Sequence, residues 1–274
     1  MRKFSTDEIM TLSTALDHYC ADILPSEINR LFRDRDIKVN GKKTGDKKQT
    51  VTSLDEICVY EKRDKTFPIY TTVYEDDNIL VADKEREVNS EGLYNHLKTK
   101  GDYRILHRLD RNTCGIMLFA KNTVTEKALL SAIKGRCLTK IYEAVLVGTP
   151  TPEKSTLKAY LTKNANTSTV KVYPNKASGA EEIITGYEVV KKGEELSYVK
   201  INLVTGKTHQ IRAHMAFIGH PVLGDNKYGN EIANKTYGQK KQLLISKQTT
   251  INGTGTCLDG KTFVSNRSFE DVVR

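Results

Sequence analysis

His107-Arg108-Leu109-Asp110-Arg111-Asn112-Thr113-Cys114-Gly115-Ile116-Met117-Leu118-Phe119-Ala120 sets a charged cluster directly against an apolar run. The segment Ile116–Ala120 has no polar side chain, which predicts a strand buried on both faces rather than a half-exposed, alternating one. Asp110 then falls in the loop that enters this strand. Loops held by rigid scaffolds are where chemistry concentrates. An aspartate in a loop also serves as an ordinary turn residue bonded to its own backbone, so this run alone names no reaction.

The flanking sequence supplies the scaffold. Upstream, Val73-Tyr74 and Ile79–Ala82 enclose Glu75-Asp76-Asp77-Asn78, the pattern of a hairpin. Downstream, Thr123-Val124-Thr125-Glu126 has capping-box spacing and opens a helix over Ala128, Leu129 and Ile133, which Gly135 ends. Ile141–Val147 is nearly all apolar and reads as a buried strand, while Ser197–Val204 sets Val199, Ile201 and Leu203 against Lys200 and Asn202. Then comes Thr205-Gly206-Lys207-Thr208-His209-Gln210-Ile211-Arg212-Ala213-His214-Met215. Here Thr208 is the expected N-cap, and Ile211, His214, Met215 and Ile218 share one helix face up to Gly219. Gly206-Lys207-Thr208 lacks the earlier glycine and four-residue gap of a nucleotide-binding loop, so ATP or GTP binding is rejected. Interspersed strands and helices without a repeat predict an α+β domain on a mostly antiparallel sheet.

The chain has 274 residues, 38% hydrophobic and 28% charged, enough for a large domain beside a small one and ordinary for a globular protein. No apolar run approaches the roughly 20 residues of a membrane span, and the N-terminus leads into no apolar signal core. A cytoplasmic protein with no membrane attachment is expected. None of the five cysteines lies within zinc-ribbon spacing of another. His209 and His214, five apart, do not share a helix face as a four-residue spacing would. A metal enzyme is therefore disfavoured.

Net charge is +9, which points to a polyanion, nucleic acid ahead of an acidic membrane. Part of the excess is local. Between Ile28 and Lys48, Arg30, Arg33, Arg35, Lys38, Lys42, Lys43, Lys47 and Lys48 face only Asp34, Asp36 and Asp46. Ser26 can cap a short helix with Ile28, Leu31 and Phe32 on its apolar face. Ile37-Lys38-Val39 alternates as a strand into Asn40-Gly41, a strong hairpin turn. The apolar stretch Leu54–Tyr60 is expected to close a small sheet. Glu61–Thr66 is highly charged, carries no apolar residue and reads as a linker, giving a small module over residues 1–66 and a second domain over 67–274.

Ile37-Lys38-Val39-Asn40-Gly41 resembles the hairpin of the small RNA-binding module named after ribosomal protein S-four. Three later stretches resemble the RluA-type pseudouridine synthases in order and spacing. They are His107–Gly115, Lys140-Ile141-Tyr142-Glu143-Ala144-Val145, and Thr205–His214 running on through Gly219-His220-Pro221 to Gly224-Asp225. Tyr74–Lys84 is similar to that family's opening strand pair. The resemblance implies a mixed, mainly antiparallel sheet with flanking helices, beside a small N-terminal α/β RNA-binding module. It also implies isomerisation of uridine to pseudouridine in RNA without a cofactor or metal. Ribosomal RNA is the first expected target and transfer RNA the second, and the expected state is a monomer.

By the same resemblance Asp110 is the reacting carboxylate, Arg212 the arginine that pairs with it, and Tyr142 the ring that stacks on the base and assists at its C5 proton. His107 and Arg108 would hold RNA open around a flipped nucleotide. Lys140, Lys207 and His209 would join them on RNA, as would Arg30, Arg33, Lys38 and Lys42 of the front module. Cys114 stands where the family usually has serine, Lys207 where it has arginine, and Glu85 follows Lys84 where proline is common. Gln242–Lys247 lacks the usual Leu-His-Ala. Two rival readings stand beside this one: an RNA-binding paralogue without turnover, and a glycoside hydrolase that would need a second carboxylate, for which Asp225 is the available partner.

Overall fold

The computed structural model describes residues 1–20, 23, 25–60, 69–164 and 169–273. The chain divides into two compact units, Met1–Pro68 with Glu91–Asp102, and Ile69–Ser90 with Tyr103–Arg274. The expected linker over residues 61–66 lies outside the described residues.

The smaller unit begins with β1 (Arg2–Phe4), β2 (Met10–Thr11) and α1 (Leu12–Tyr19), and continues through α2 (Pro25–Arg33), β3 (Ile37–Val39), β4 (Lys42–Thr44), β5 (Thr50–Val51) and β6 (Ile57–Val59). Four strands form an antiparallel sheet in the order β1-β6-β3-β4. Ile28, Leu31 and Phe32 are buried as their spacing predicts, together with Leu12, Leu16, Ile37 and Ile57. The β3–β4 turn places Asn40 at φ 50° and Gly41 at φ 80°, the left-handed pair that lets a two-residue loop follow the strand twist.

Two expectations are corrected in this unit. The second helix starts at Pro25, where a missing N–H costs nothing, so Ser26 lies inside its first turn rather than capping it. Leu54 is 92% exposed and belongs to the turn before β6, which is only three residues long. From the second helix onward, the remaining helix of this unit is α3 (Ser90–Lys98), counted with it from Glu91.

The larger unit is an 11-stranded sheet. Its strands are β7 (Tyr70–Glu75), β8 (Ile79–Lys84), β9 (Arg104–Ile105), β10 (Cys114–Ala120), β11 (Thr139–Val147), β12 (Lys154–Asn164), β13 (Thr169–Tyr173), β14 (Glu181–Lys192), β15 (Leu196–Leu203), β16 (Leu244–Thr250) and β17 (Thr262–Val264). The order is β13-β12-β14-β15-β11-β16-β10-β8-β7, with β17 beside β16 and β9 beside β10. The pairing is antiparallel except between β10 and β16. The result is a mixed, mainly antiparallel sheet with helices α4 (Thr123–Lys134), α5 (Gln210–Phe217) and α6 (Glu231–Thr236).

Every residue of β10 is buried, and Ile116, Met117, Leu118 and Phe119 are fully so. At about 1.5–3 kcal/mol for each such side chain, this strand anchors the loop that precedes it. Gly115, at φ 107°, lets β10 press against β16: a Cβ there would sit 2.3 Å from the Ser246 carbonyl oxygen. The hairpin at residues 75–78, the strands over 141–147 and 197–203 and the stop at Gly135 follow the sequence pattern. The α4 cap does not. Asn122 rather than Thr123 is the N-cap, its side-chain oxygen accepting the Thr125 N–H at 2.8 Å.

Candidate active site

Asp110 sits in the loop between β9 and β10. The loop is pinned just before it. Ser90 Oγ donates to the Leu109 carbonyl at 2.8 Å and accepts the Leu109 N–H at 3.0 Å. Just after it, the Arg111 carbonyl accepts from Lys84 Nζ at 3.2 Å, and Thr113 N–H donates back to the Asp110 carbonyl at 3.0 Å. Lys84 is entirely buried and also donates to the carbonyls of Glu85 and Val88. Burial drags its ammonium down to about 8, even though nearby anionic groups including Asp110 support the charge.

Arg212 comes from α5. That helix is buried from Gln210 to Met215, on all sides rather than along the single face predicted. Its start also differs from the prediction. His209, not Thr208, occupies the N-cap position, at φ 53° and with no side-chain capping bond. Gln210 ties the entry instead: its Oε1 accepts from Thr205 Oγ1 at 2.9 Å and from the Lys207 N–H at 3.1 Å.

The Arg212 guanidinium, 7% exposed, is gripped by two carboxylates. Nη1 donates to Asp110 Oδ2 at 2.7 Å. Nε and Nη2 donate to the two oxygens of Asp225 at 2.7 and 2.8 Å, a bidentate pair. The Asp225 side chain is fully buried, and its Oδ1 also accepts the N–H groups of Lys227 and Tyr228. Burial works to raise the Asp225 carboxyl, but the Arg212 bonds and charge outweigh it and the group stays below the usual range. For Arg212, burial works against its charge and the two carboxylates more than restore it. Asp110, by contrast, keeps 24% of its side chain exposed. The two carboxylates are thus unequal: one is locked inside to orient the arginine, the other is presented.

Asp225 was legible in the sequence only as a possible second catalytic carboxylate. The structure assigns it to the arginine, and with its side chain sealed it offers no opposed partner to Asp110. The two-carboxylate arrangement of a glycoside hydrolase is absent from this pair.

Tyr142 lies on β11, in register with Ser246 of β16, which is itself in register with Gly115 of β10. Its hydroxyl is pushed up to about 12, chiefly by burial and also by the Asp110 carboxylate, against a hydrogen bond from Ser246. The phenol is therefore protonated at neutral pH.

His209 Nε2 is 3.9 Å from Asp110 Oδ1, and its Nδ1 is 2.9 Å from the Tyr228 hydroxyl. His107 turns inward, where its Nε2 accepts the Leu118 N–H at 3.2 Å. Burial, with the charge of Lys140 added, holds it well below its ordinary value, hence neutral. Its Nε2 serves as an acceptor for β10. Lys140 is part-buried on β11 and its charge is disfavoured by that burial. Arg108 is exposed. Lys207 meets Glu181 at 2.7 Å at the surface, a pair of the kind that contributes little.

The residues proposed for RNA contact in the smaller unit divide. Arg30 is only 16% exposed and binds Glu27 at 2.7 Å, Asp34 at 3.3 Å and Asp36 at 2.5 Å. Its charge is consumed within the unit, which corrects its assignment as a phosphate ligand. Arg33 is largely exposed beside Asp34, Lys42 is exposed, and the Lys38 ammonium lies 5.0 Å from the centre of the Tyr60 ring.

Residues 56–217 match the family model described as RNA pseudouridylate synthase. The ribosomal large subunit pseudouridine synthase C of Rickettsia bellii is 29% identical over 287 residues, spanning 92% of each chain. The ribosomal large subunit pseudouridine synthase D of Vibrio parahaemolyticus is 28% identical over 242 residues, 80% of this chain and 72% of that one. Among solved structures, human RNA pseudouridylate synthase domain containing 1 aligns with a TM-score of 0.63 at 24% identity, over 72% of this chain and 83% of its own, a likeness of fold.

Proposed function

The chain belongs to the RNA pseudouridylate synthase family, and from that premise we propose that it converts uridines of large-subunit ribosomal RNA to pseudouridine at Asp110. The observation that carries this reading is the partly exposed Asp110 carboxylate held at 2.7 Å by an arginine whose other edge is locked on a buried aspartate. The reaction breaks the N1–C1′ bond, turns the uracil and joins C5 to C1′; the C5 proton is lost and N1 gains one, so no atom is added overall. A carboxylate serves the ribose side of this exchange. Arg212 aims Asp110, and the Tyr142 ring offers a flat surface to an unstacked base.

Ribosomal RNA is preferred to transfer RNA because the relatives at 72–92% coverage of their own length are named for the large ribosomal subunit. The smaller unit is proposed as an RNA-binding module of the S-four kind, on the strength of its helix–hairpin and the exposed Arg33 and Lys42. A cytoplasmic monomer is proposed with it. The decisive experiment maps pseudouridines in ribosomal RNA from cells with wild-type protein, with Asp110→Ala and without the gene. The expected result is a specific site lost in both of the latter, while Asp110→Ala retains RNA affinity. An unchanged map with retained binding would favour the non-catalytic paralogue.

A further inference from the structure

Three contacts converge on Tyr228, which follows the buried Asp225 in the loop after α5. Its hydroxyl accepts the backbone N–H of Val170 on β13 at 2.9 Å. The same hydroxyl lies 2.9 Å from His209 Nδ1, and its ring faces the Arg212 guanidinium at 5.3 Å. A phenol has one proton to give and two lone pairs to receive. Val170 fills one lone pair, and His209 Nδ1 is the acceptor in reach of the proton. If Nδ1 accepts, the neutral imidazole carries its own proton on Nε2, the nitrogen that looks toward Asp110 Oδ1.

The ring is held neutral: burial lowers its affinity for a second proton, Arg212 and Lys227 add to that effect, and Asp110 opposes it. The backbone supports a special placement. His209 sits in the left-handed region at φ 53° in the N-cap position of α5, yet its side chain makes no capping bond. Left-handed non-glycine residues carry a conformational cost, and here the side chain so placed serves the carboxylate instead of the helix.

We propose that Tyr228 fixes His209 as the Nε2–H tautomer and so points a neutral donor at Oδ1 of Asp110, the oxygen that Arg212 leaves uncovered. Tyr228 and His209 are then positioning residues for that carboxylate. The other tautomer would turn a nitrogen lone pair toward an anion. A neutral donor orients Asp110 without adding a second full positive charge beside the arginine. At 3.9 Å the contact is about 1 Å longer than a hydrogen bond, so closing it requires only a small movement of the loop or the ring. The inference rests on the reading of Asp110 as the reacting group.

The test begins with ¹⁵N NMR of the imidazoles in the full chain, His209 being identified by the signal lost in His209→Gln. A pyrrole-type ε2 nitrogen and a pyridine-type δ1 nitrogen are expected; the reverse assignment overturns the proposal. Activity supplies the second arm. Tyr228→Phe is expected to lower kcat about tenfold with KM for RNA unchanged, the loss of one oriented hydrogen bond. A glutamine amide reaches the position of Nε2 and an asparagine amide that of Nδ1. His209→Gln should therefore stay within about fivefold of wild type while His209→Asn falls well below it, although asparagine tolerates the left-handed backbone better. Equal activity of the two variants, or wild-type kcat in Tyr228→Phe, refutes the proposal. Asp110→Asn separates the premises: retained activity in that variant sinks the reading of Asp110 and leaves the tautomer result standing.

Discussion

Replacing Asp225 with asparagine should damage the fold more than replacing Asp110, the residue proposed to react. The magnitude follows from the burial of the two carboxylates. Asp225 is fully enclosed and makes two charge-assisted bonds to an arginine that is itself 7% exposed. Removing one member of a buried ion pair costs about 3–5 kcal/mol, because the other charge is left without compensation. The substituted amide would retain one acceptor, and Asp110 would still hold Nη1, so the lower figure of about 3 kcal/mol applies. For a unit of this size that corresponds to about 6–12 °C in melting temperature. Asp110→Asn leaves the bidentate pair intact and changes a partly solvated contact, a loss under about 1 kcal/mol. Acid adds a second signature. The Asp225 carboxyl lies below its ordinary value in the fold, so its contribution is fully present above about pH 4 and is lost as pH falls through the folded value. Asp225→Asn should therefore flatten part of the acid limb of a stability curve. Thermal and urea melts of the three proteins at pH 7 and near pH 3 measure both effects. An Asp225→Asn protein melting within about 2 °C of wild type, where the stability loss above demands several degrees, would refute the division of labour assigned to the two carboxylates. So would an Asp110→Asn protein less stable than Asp225→Asn.

Three further perturbations read other parts of the molecule. His107→Ala should cost about 1–3 kcal/mol by orphaning the Leu118 N–H, whereas His107→Gln keeps an acceptor and loses less; weakened RNA binding with an unchanged melt would show that the histidine contacts RNA after all. Gly115→Ala should abolish soluble expression or lower the melting temperature severely, since its Cβ would lie 2.3 Å from the Ser246 oxygen. Gly41→Ala meets nothing within 4 Å and should cost only about 1 kcal/mol for its left-handed φ, and thermal melts of the pair decide between crowding and backbone strain. Lys84 titrates near 8 in the fold against 10.5 when solvated, so the unfolded chain holds more protons in that interval and stability rises with pH across it. Lys84→Met should lack this rise in denaturant titrations between about pH 7 and pH 10.5; an identical pH slope in the two proteins would place the lysine charge in water.

What the sequence revealed and what it concealed separate along a physical line. Apolar runs reported their own burial: β10 and β11 fall where Ile116–Ala120 and Ile141–Val147 placed them. Asn40-Gly41 likewise declared a turn through its backbone preference, whereas after α4 the left-handed position falls to Arg136, at φ 58°, and Gly135 is right-handed. Caps were harder to read, because Ser26, Thr123 and Thr208 each carry a hydroxyl suited to the task, and the choice fell on geometry that spacing does not encode. Apart from the Asp110–Arg212 pair, which the family resemblance supplied, long-range polar partners were not legible. Asp225 and Tyr228 stand 13 and 16 positions from Arg212, and Ser90 stands 19 from Leu109; only the fold brings them together. Arg30 and His107 were read as RNA ligands for different reasons: the carboxylates of Arg30 are local, at Glu27, Asp34 and Asp36, and were outweighed by the basic segment around them, whereas the Leu118 N–H that His107 accepts is brought to it by the strand pairing.

The place of the site in the sheet follows from strand direction. Some antiparallel neighbours are joined by a local turn, as β7 and β8 are at residues 75–78, whereas β11 and β16 pair across a long stretch of chain. The β10–β16 pairing is the parallel one, so both strands begin at the same end of the sheet. Residues 106–113 lead into β10 and residues 237–243 into β16, and Gln242 Nε2 donates to Thr113 Oγ1 at 2.9 Å where they run together. Neither segment can be a two-residue turn. Residues 106–113 connect the antiparallel neighbours β9 and β10 through a loop far longer than a tight turn, and that loop carries Asp110. Gly115 then allows the two strands to meet closely enough that Tyr142, one strand further on, shares the neighbourhood of that carboxylate. The two entry segments thus meet at one end of the sheet, and the carboxylate, the arginine and the aromatic ring are assembled there.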